Sequence, residues 1–455
     1  MTSYSKLVRH SGNEALFRTV EMSLLAAAAG RPVHLHAEGL RGTGKTSIMR
    51  AARQVLPPIQ RIRGCLYNCH PDHPHCPEHR DLDRPSIALL GTEWVPMPFL
   101  EISHSAKVGT VVGSIDLARL TQADRPLAAV LPGTLPQAHR GIVFVDEINR
   151  LAETSPELAD VLLDVMGTKP GRVQIEETGV PMVEVPVQVS IWAASNPDEE
   201  PGPLEEIRRQ LADRFDFSIA MARPADAQVV EDILTLAETW DPSGVEAVLQ
   251  DPRPDWAVRA RQLPLVQATA ELKRLLATLY TQFSLESLRS IEAMYLGSRL
   301  HALTQGYREA TVADLKAIAA MALRHRVDGD TLARILRFLA DQEAEHRSDA
   351  DGRGGAARLP LPTDSWTGTD GPEHKPAEAG RDLFSSITSR LRQALGSRSR
   401  MGGGGAGPSS SGEGGSTAGA PQQGEIPCVA PPAQAVPLLQ MAPGRLVSRE
   451  EDLLL

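Results

Sequence analysis

The sequence predicts an α/β domain built on a parallel sheet covered by helices, followed by an all-α domain and a low-complexity tail. Three observations lead there. Short apolar runs alternate with segments of helical periodicity as far as residue 224, the pattern of buried parallel strands joined by crossover helices. A glycine-rich turn, GLRGTGKT at residues 39–46, separates the first such run from the first helical segment. From residue 225 to 347 the apolar residues recur at helical spacing alone.

Taken in chain order, PVHLHA (32–37) is the first expected strand, and TSIMRAARQVL after the turn places Ile48, Met49, Ala52, Val55 and Leu56 on one helical face. The further strand candidates are FLEIS (99–103), GIVFVDEI (141–148), VQVSIWAAS (187–195) and DFSIAMA (216–222). Between them SPELADVLLDVM (155–166) and PLEEIRRQLADRF (203–215) read as helices. Five helical patterns then fill 225–347, from AQVVEDILTLAETW to DTLARILRFLADQEAEH. Residues 348–455 are rich in Gly, Pro, Ser and Ala, a composition that buries too little apolar surface to offset its ordering entropy, and they read as disordered. One island, DLFSSITSRLRQALG (382–396), has the spacing of an amphipathic helix that folds onto a partner or stays nascent.

With 455 residues and 42% apolar content the chain can bury a core in each domain. A net charge of −10 lacks the basic excess of a protein that wraps nucleic acid, so none is expected as a partner. The polar N-terminus has no signal-peptide pattern and no run approaches a membrane span, which points to a cytoplasmic protein. Four cysteines, three of them clustered, are not a secreted disulfide framework.

The turn fits GxxxxGK[ST]: Gly39, Gly42, Thr43 and Gly44 would cradle phosphates with backbone N–H groups, Lys45 would reach the β and γ oxygens of ATP, and Thr46 would hold Mg²⁺. At the end of GIVFVDEI, Asp146 is placed to bind Mg²⁺ through water and Glu147 to polarise the attacking water. Asn196, after the next strand, would orient that water.

These residues, with VVGSIDL, LPGTLPQAHRGIVFVDEINRL, GRVQIEETGVPMVEVPVQVSIWAASNPDE and QLADRFD, closely resemble the ATPase (I) subunit of magnesium chelatase, a AAA+ protein, over residues 12 to 330. The resemblance implies a AAA+ P-loop domain with a helical lid, Lys45 and Thr46 as Walker A contacts, Asp146 and Glu147 as the Walker B pair, and Asn196 as sensor 1. It makes Arg214, with Arg208 and Arg209 as neighbouring rivals, the arginine finger that reaches the next subunit's ATP, and Arg289 the sensor 2 of the lid. A finger acting in trans implies a hexameric ring. The family's partners are a D subunit with an integrin-I (von Willebrand A) domain and a porphyrin-binding subunit. Low-complexity sequence follows the lid here, which points to the I type. The alternative is a MoxR-like remodelling ATPase that works with an integrin-I protein and touches no tetrapyrrole. The family's projecting insert corresponds to residues 111–133 and its hairpin to 172–187.

A second constellation, GCLYNCHPDHPHCPEHR at 64–80, lies in a loop after the first helix. Cys65, Cys69, Cys76 and His79 have the donor set of a tetrahedral structural Zn²⁺ site; an iron–sulfur cluster and an unliganded loop are the alternatives. His70, His73 and His75 read as solvated loop residues, and Cys428 stands alone in the tail.

Overall fold

The computed structural model describes residues 3–115, 130–176, 182–198, 200–238, 256–352 and 358–361. The tail beyond 361, the segment 382–396, Cys428 and the tips of the insert (116–129) and the hairpin (177–181) lie outside the described residues.

Five strands form the central sheet: β1 (Leu35–Glu38), β2 (Phe99–Ile102), β3 (Ile142–Val145), β4 (Ser190–Ser195) and β5 (Phe217–Ala220). They run in the order β5-β1-β4-β3-β2, every pair parallel. Every residue of β1, β3 and β4 is buried, which is why β3 (IVFV) and the centre of β4 (IWAA) read as continuous apolar runs rather than alternating ones. Alternate side chains part between two layers. Ile142 and Phe144 join Phe17, Leu24, Met49, Trp192 and Phe217 on one face, while Val143 and Val145 join Leu151, Leu162, Ile191 and Phe215 on the other. The one polar atom of Trp192 is satisfied there, its indole N–H donating to Ser23 Oγ at 2.9 Å.

The helix after the glycine-rich turn runs Lys45–Ala51 and continues as a single tighter turn, Ala52–Val55, before Pro57 bars helical backbone at the residue preceding it. The five residues assigned to its inner face are all buried. The expected helix over 203–215 is in fact two, Leu204–Ile207 and Arg209–Arg214, because Arg208 leaves helical space at φ −145°, ψ 75°. The break aims the Arg208 guanidinium at Asp160, 3.1 Å away. Antiparallel ribbons pair Gly113–Ile115 with Val130–Pro132 at the base of the insert, and Gly171–Ile175 with Val183–Val187 in the hairpin.

The helical part comprises Ala270–Gln282, Leu288–Thr304, Val312–Leu323 and Gly329–Gly352, preceded by Ala227–Glu238 and Trp256–Arg261. Its Leu272, Leu300 and Leu315 belong to the same apolar layer as Phe17 and Phe217. Lid and nucleotide domain are thus packed through one core.

Candidate nucleotide site and metal centre

At the end of β1 the chain turns through Gly39–Gly44 into the helix Lys45–Ala51. Gly42 and Gly44 hold φ of 74° and 87°, left-handed backbone that glycine adopts without the strain a Cβ brings. The turn leads directly into the helix N-terminus, the end at which backbone N–H groups and the helix dipole favour an anion. Lys45 is buried, its ammonium donating to the carbonyls of Leu40, at 2.8 Å, and Gly39.

Thr46 Oγ1 donates to Asp146 Oδ1 at 3.2 Å, joining the loop to the end of β3. Arg50, one turn further along the same helix, stands 3.5 Å from Asp146 Oδ2 and 2.9 Å from Glu101 on β2. Glu147 follows in left-handed backbone, φ 53°, ψ 49°, a conformation that costs a non-glycine residue about 1–3 kcal/mol. Its carboxylate lies 3.2 Å from Arg150. Asn196 follows β4, the strand between β1 and β3. Lys45, Thr46, Asp146, Glu147 and Asn196 therefore meet at the carboxyl ends of three adjacent strands, where ligands bind in open parallel sheets.

Asn149 was not legible as a site residue. Buried, it donates through Nδ2 to the carbonyls of Asn196 (3.2 Å) and Gly202 (3.1 Å), tying the turn after Glu147 to the turn after β4. Its only signal was its place two residues after Glu147. Asn149→Ala strips two half-buried carbonyls of their donor and is expected to cost about 1 kcal/mol in chemical denaturation, a loss that Asn149→Asp would share. Beneath the site His36 Nε2 meets Ser195 Oγ at 2.8 Å; burial, with Arg324 and Lys45 adding to it, pushes this imidazole down to about 3, so it is neutral.

Arg214 and Arg289 lie elsewhere. Arg214 Nη1 donates to the carbonyl of Gly167 at 3.3 Å, and Arg289 to the same carbonyl at 2.6 Å and to Met166 at 3.4 Å. Both cap the C-terminal end of the helix Pro156–Gly167, favourable for cations. Asp216, two residues after Arg214, bonds to the amide of His34 at 2.8 Å. That is the amino end of β1, roughly 16 Å from Gly39 at about 3.3 Å per residue. The two arginines are together, at the opposite end of the sheet from Lys45. A cleft of about 730 Å³, lined by Arg209, Arg214, Arg289 and Arg326 among others, opens beside them.

Cys65, Cys69, Cys76 and His79 are all buried, with one ligand atom of each within 4.8 Å of the others. Tetrahedral Zn–S bonds of about 2.3 Å set ligand atoms about 3.8 Å apart, so the donor set closes on such an ion with little adjustment. The backbone N–H groups of His75 and Cys76 point at Cys69 Sγ, 3.3 and 3.4 Å away, as they do around a thiolate. Of the other histidines, His73 is exposed, and His70 pairs loosely with Asp72. His75 departs from the solvated reading. It stacks on His139 with ring centroids 3.7 Å apart and sets Nδ1 3.2 Å from Cys69 Sγ, because the knuckle folds back onto the turn before β3.

Comparison with known proteins places this architecture. Residues 273–346 match the AAA lid domain model. Over 319 residues the chain is 32% identical to the magnesium-chelatase 38 kDa subunit of Acidiphilium rubrum, an alignment covering 66% of this chain and 87% of the relative. The chain belongs to the magnesium-chelatase ATPase (I) subunit family of AAA+ proteins. Other relatives are the 38 kDa subunit of Cereibacter sphaeroides, 28% identical over 65% of this chain and 84% of the relative, and the subunit ChlI of Trieres chinensis, 29% identical over 65% and 82%. No helix among the described residues of this chelatase-family chain is long and apolar enough to cross a membrane.

Proposed function

We propose that this protein binds Mg·ATP between Gly39–Thr46 and Asp146, hydrolyses it within a hexameric ring, and passes the resulting movement to a magnesium-chelatase-type partner assembly. The observation that carries the reading is the Thr46–Asp146 contact of 3.2 Å with Glu147 next in sequence: hydroxyl and carboxylate together suit one Mg²⁺, and a general base stands beside them. Held there, the ion would neutralise charge on the phosphates. Lys45 binds and orients them, Glu147 takes the proton of the attacking water, and Asn196 holds that water. Arg214, at the far end of the sheet from its own Lys45, serves the ATP of the next subunit, with Arg289 beside it. An integrin-I protein is the expected partner on the ring, and a porphyrin-binding subunit the expected target; the relatives' names favour this over MoxR-like remodelling. Cys65, Cys69, Cys76 and His79 hold a structural Zn²⁺.

Glu147→Gln is expected to bind ATP and hydrolyse it ~100-fold more slowly, the usual cost of losing a positioned base. Near-normal turnover would take Glu147 out of the mechanism. Lys45→Ala is expected instead to weaken ATP binding roughly 10- to 100-fold, the worth of charge-assisted hydrogen bonds. An unchanged dissociation constant would contradict the phosphate-loop reading.

A further inference from the structure

Just past the helix Val312–Leu323 stand two arginines that the nucleotide site leaves unused, Arg324 and Arg326. They reach in opposite directions along β5 and β1. Arg324 Nη1 lies 3.0 Å from Glu38 Oε2 and donates to Ser218 Oγ at 3.2 Å. Glu38 is the last residue of β1. The residue after it is Gly39, whose carbonyl takes the Lys45 ammonium. A lid arginine therefore grips the strand end from which the nucleotide loop springs.

Arg326 grips the other end. Its side chain is 5% exposed and spends most of its fork on the turn 213–216: Nε on Asp213 Oδ1 (3.0 Å), Nη2 on the carbonyls of Asp213 and Phe215 (both 2.7 Å), and Nη1 on that of Asp216 (3.4 Å) and, on the helix just before it, that of Ala322 (2.6 Å). A guanidinium has five N–H donors, and all five are used. His325 adds an Nε2–H bond to the Phe215 carbonyl at 3.0 Å. The residues on both sides of Arg214 are thus pinned by the lid, while Arg214 itself donates to the carbonyl of Gly167 at 3.3 Å.

We propose that Arg324 and Arg326 are positioning residues for two different ATP sites: Arg324 sets the nucleotide loop of its own subunit, and Arg326 sets the finger segment that its subunit presents to the next. The lid, moving as one body, would then report the state of one site to the neighbouring one. The inference rests on the trans role proposed for Arg214.

Mixed rings of the full-length protein separate the two roles. Glu147→Gln spoils a subunit's own site and leaves its finger intact; Arg214→Ala does the reverse, and their mixture is the control that should regain activity. Arg326→Gln alone is expected to lose about 100-fold in kcat/KM, the scale of a misplaced catalytic group. It should regain activity with Glu147→Gln and not with Arg214→Ala. Arg324→Gln should behave in the opposite way, rescued by Arg214→Ala and not by Glu147→Gln. Because Arg326 is buried and its loss endangers folding, Asp213→Asn serves as a second variant with the same expected pattern, with melting curves and ATP-dependent ring assembly recorded for each. A live control with Arg326→Gln and Asp213→Asn both unrescued, or both fully active, overturns the Arg326 assignment. Rescue of Arg324→Gln by Glu147→Gln overturns the Arg324 one. A dead control removes the trans reading of Arg214 and this inference with it.

Discussion

Rings of the Arg214→Ala variant are expected to assemble with ATP, to bind it with wild-type affinity, and to hydrolyse it about 10³-fold more slowly, the lower end of what an arginine supplied from a neighbour contributes to phosphoryl transfer. The expectation comes from position and charge. Arg214 is two residues before Asp216, which bonds to His34 at the amino end of β1, whereas Lys45 follows its carboxyl end, so the guanidinium is out of reach of its own phosphates. It is crowded against a second cation: burial first, and Arg289 next, lower the pKa of Arg214, which means that its charged state is under-compensated within one subunit. An arriving triphosphate from an adjacent copy would relieve that repulsion as well as gain the arginine. Steady-state turnover and nucleotide binding on the same preparation check it. Turnover within a few-fold of wild type would exclude Arg214 as the finger, and lost affinity would place it at its own subunit's phosphates.

The sheet was legible because parallel strands buried on both faces leave long apolar words such as GIVFVDEI, and because the turn at 39–46 requires glycine where the backbone is left-handed, at Gly42 and Gly44. Thr46 and Asp146, 100 residues apart, could be paired in advance because the first opens the helix that follows β1 and the second directly follows β3, so both belong to the carboxyl edge of the sheet. Other features could not. The break at Arg208 leaves no mark in a helical pattern that continues through it. The joint placement of Arg214 and Arg289 on Gly167 depends on how the lid packs over the sheet edge, as do the Arg326 contacts to Asp213 and Asp216, which span more than 100 residues and follow no local periodicity. Asn149 escaped for a related reason: a buried asparagine that satisfies two carbonyls looks, in sequence, like any polar residue early in a helix.

Elemental analysis of protein purified without chelators is expected to find about one Zn²⁺ per chain, lost in the double variant Cys65→Ser, Cys69→Ser. Three free thiols are packed in an apolar layer with Tyr67, Ile62 and Val143. Free cysteines can fill a core as small hydrophobes, but that does not explain a buried imidazole among them, nor backbone N–H groups aimed at Cys69 Sγ. A four-iron cluster would spread its ligands over a larger cube than donors within 4.8 Å of one another allow. Closing a loop of the 15 residues from Cys65 to His79 is worth about 3 kcal/mol on chain-entropy grounds, so the double variant should melt roughly 6–12 °C lower, at about 2–4 °C per kcal/mol for a domain of this size. ATP hydrolysis should fall less than stability does. The 64–80 segment supplies none of the residues assigned to the nucleotide site, yet it braces the core through Tyr67 on the carbonyl of Val130 (3.0 Å), Asn68 on that of Gln137 (2.6 Å) and Arg140 on that of Asn68 (3.4 Å). Metal-free wild-type protein with an unchanged melting temperature after chelator treatment would make these residues an ordinary buried cluster.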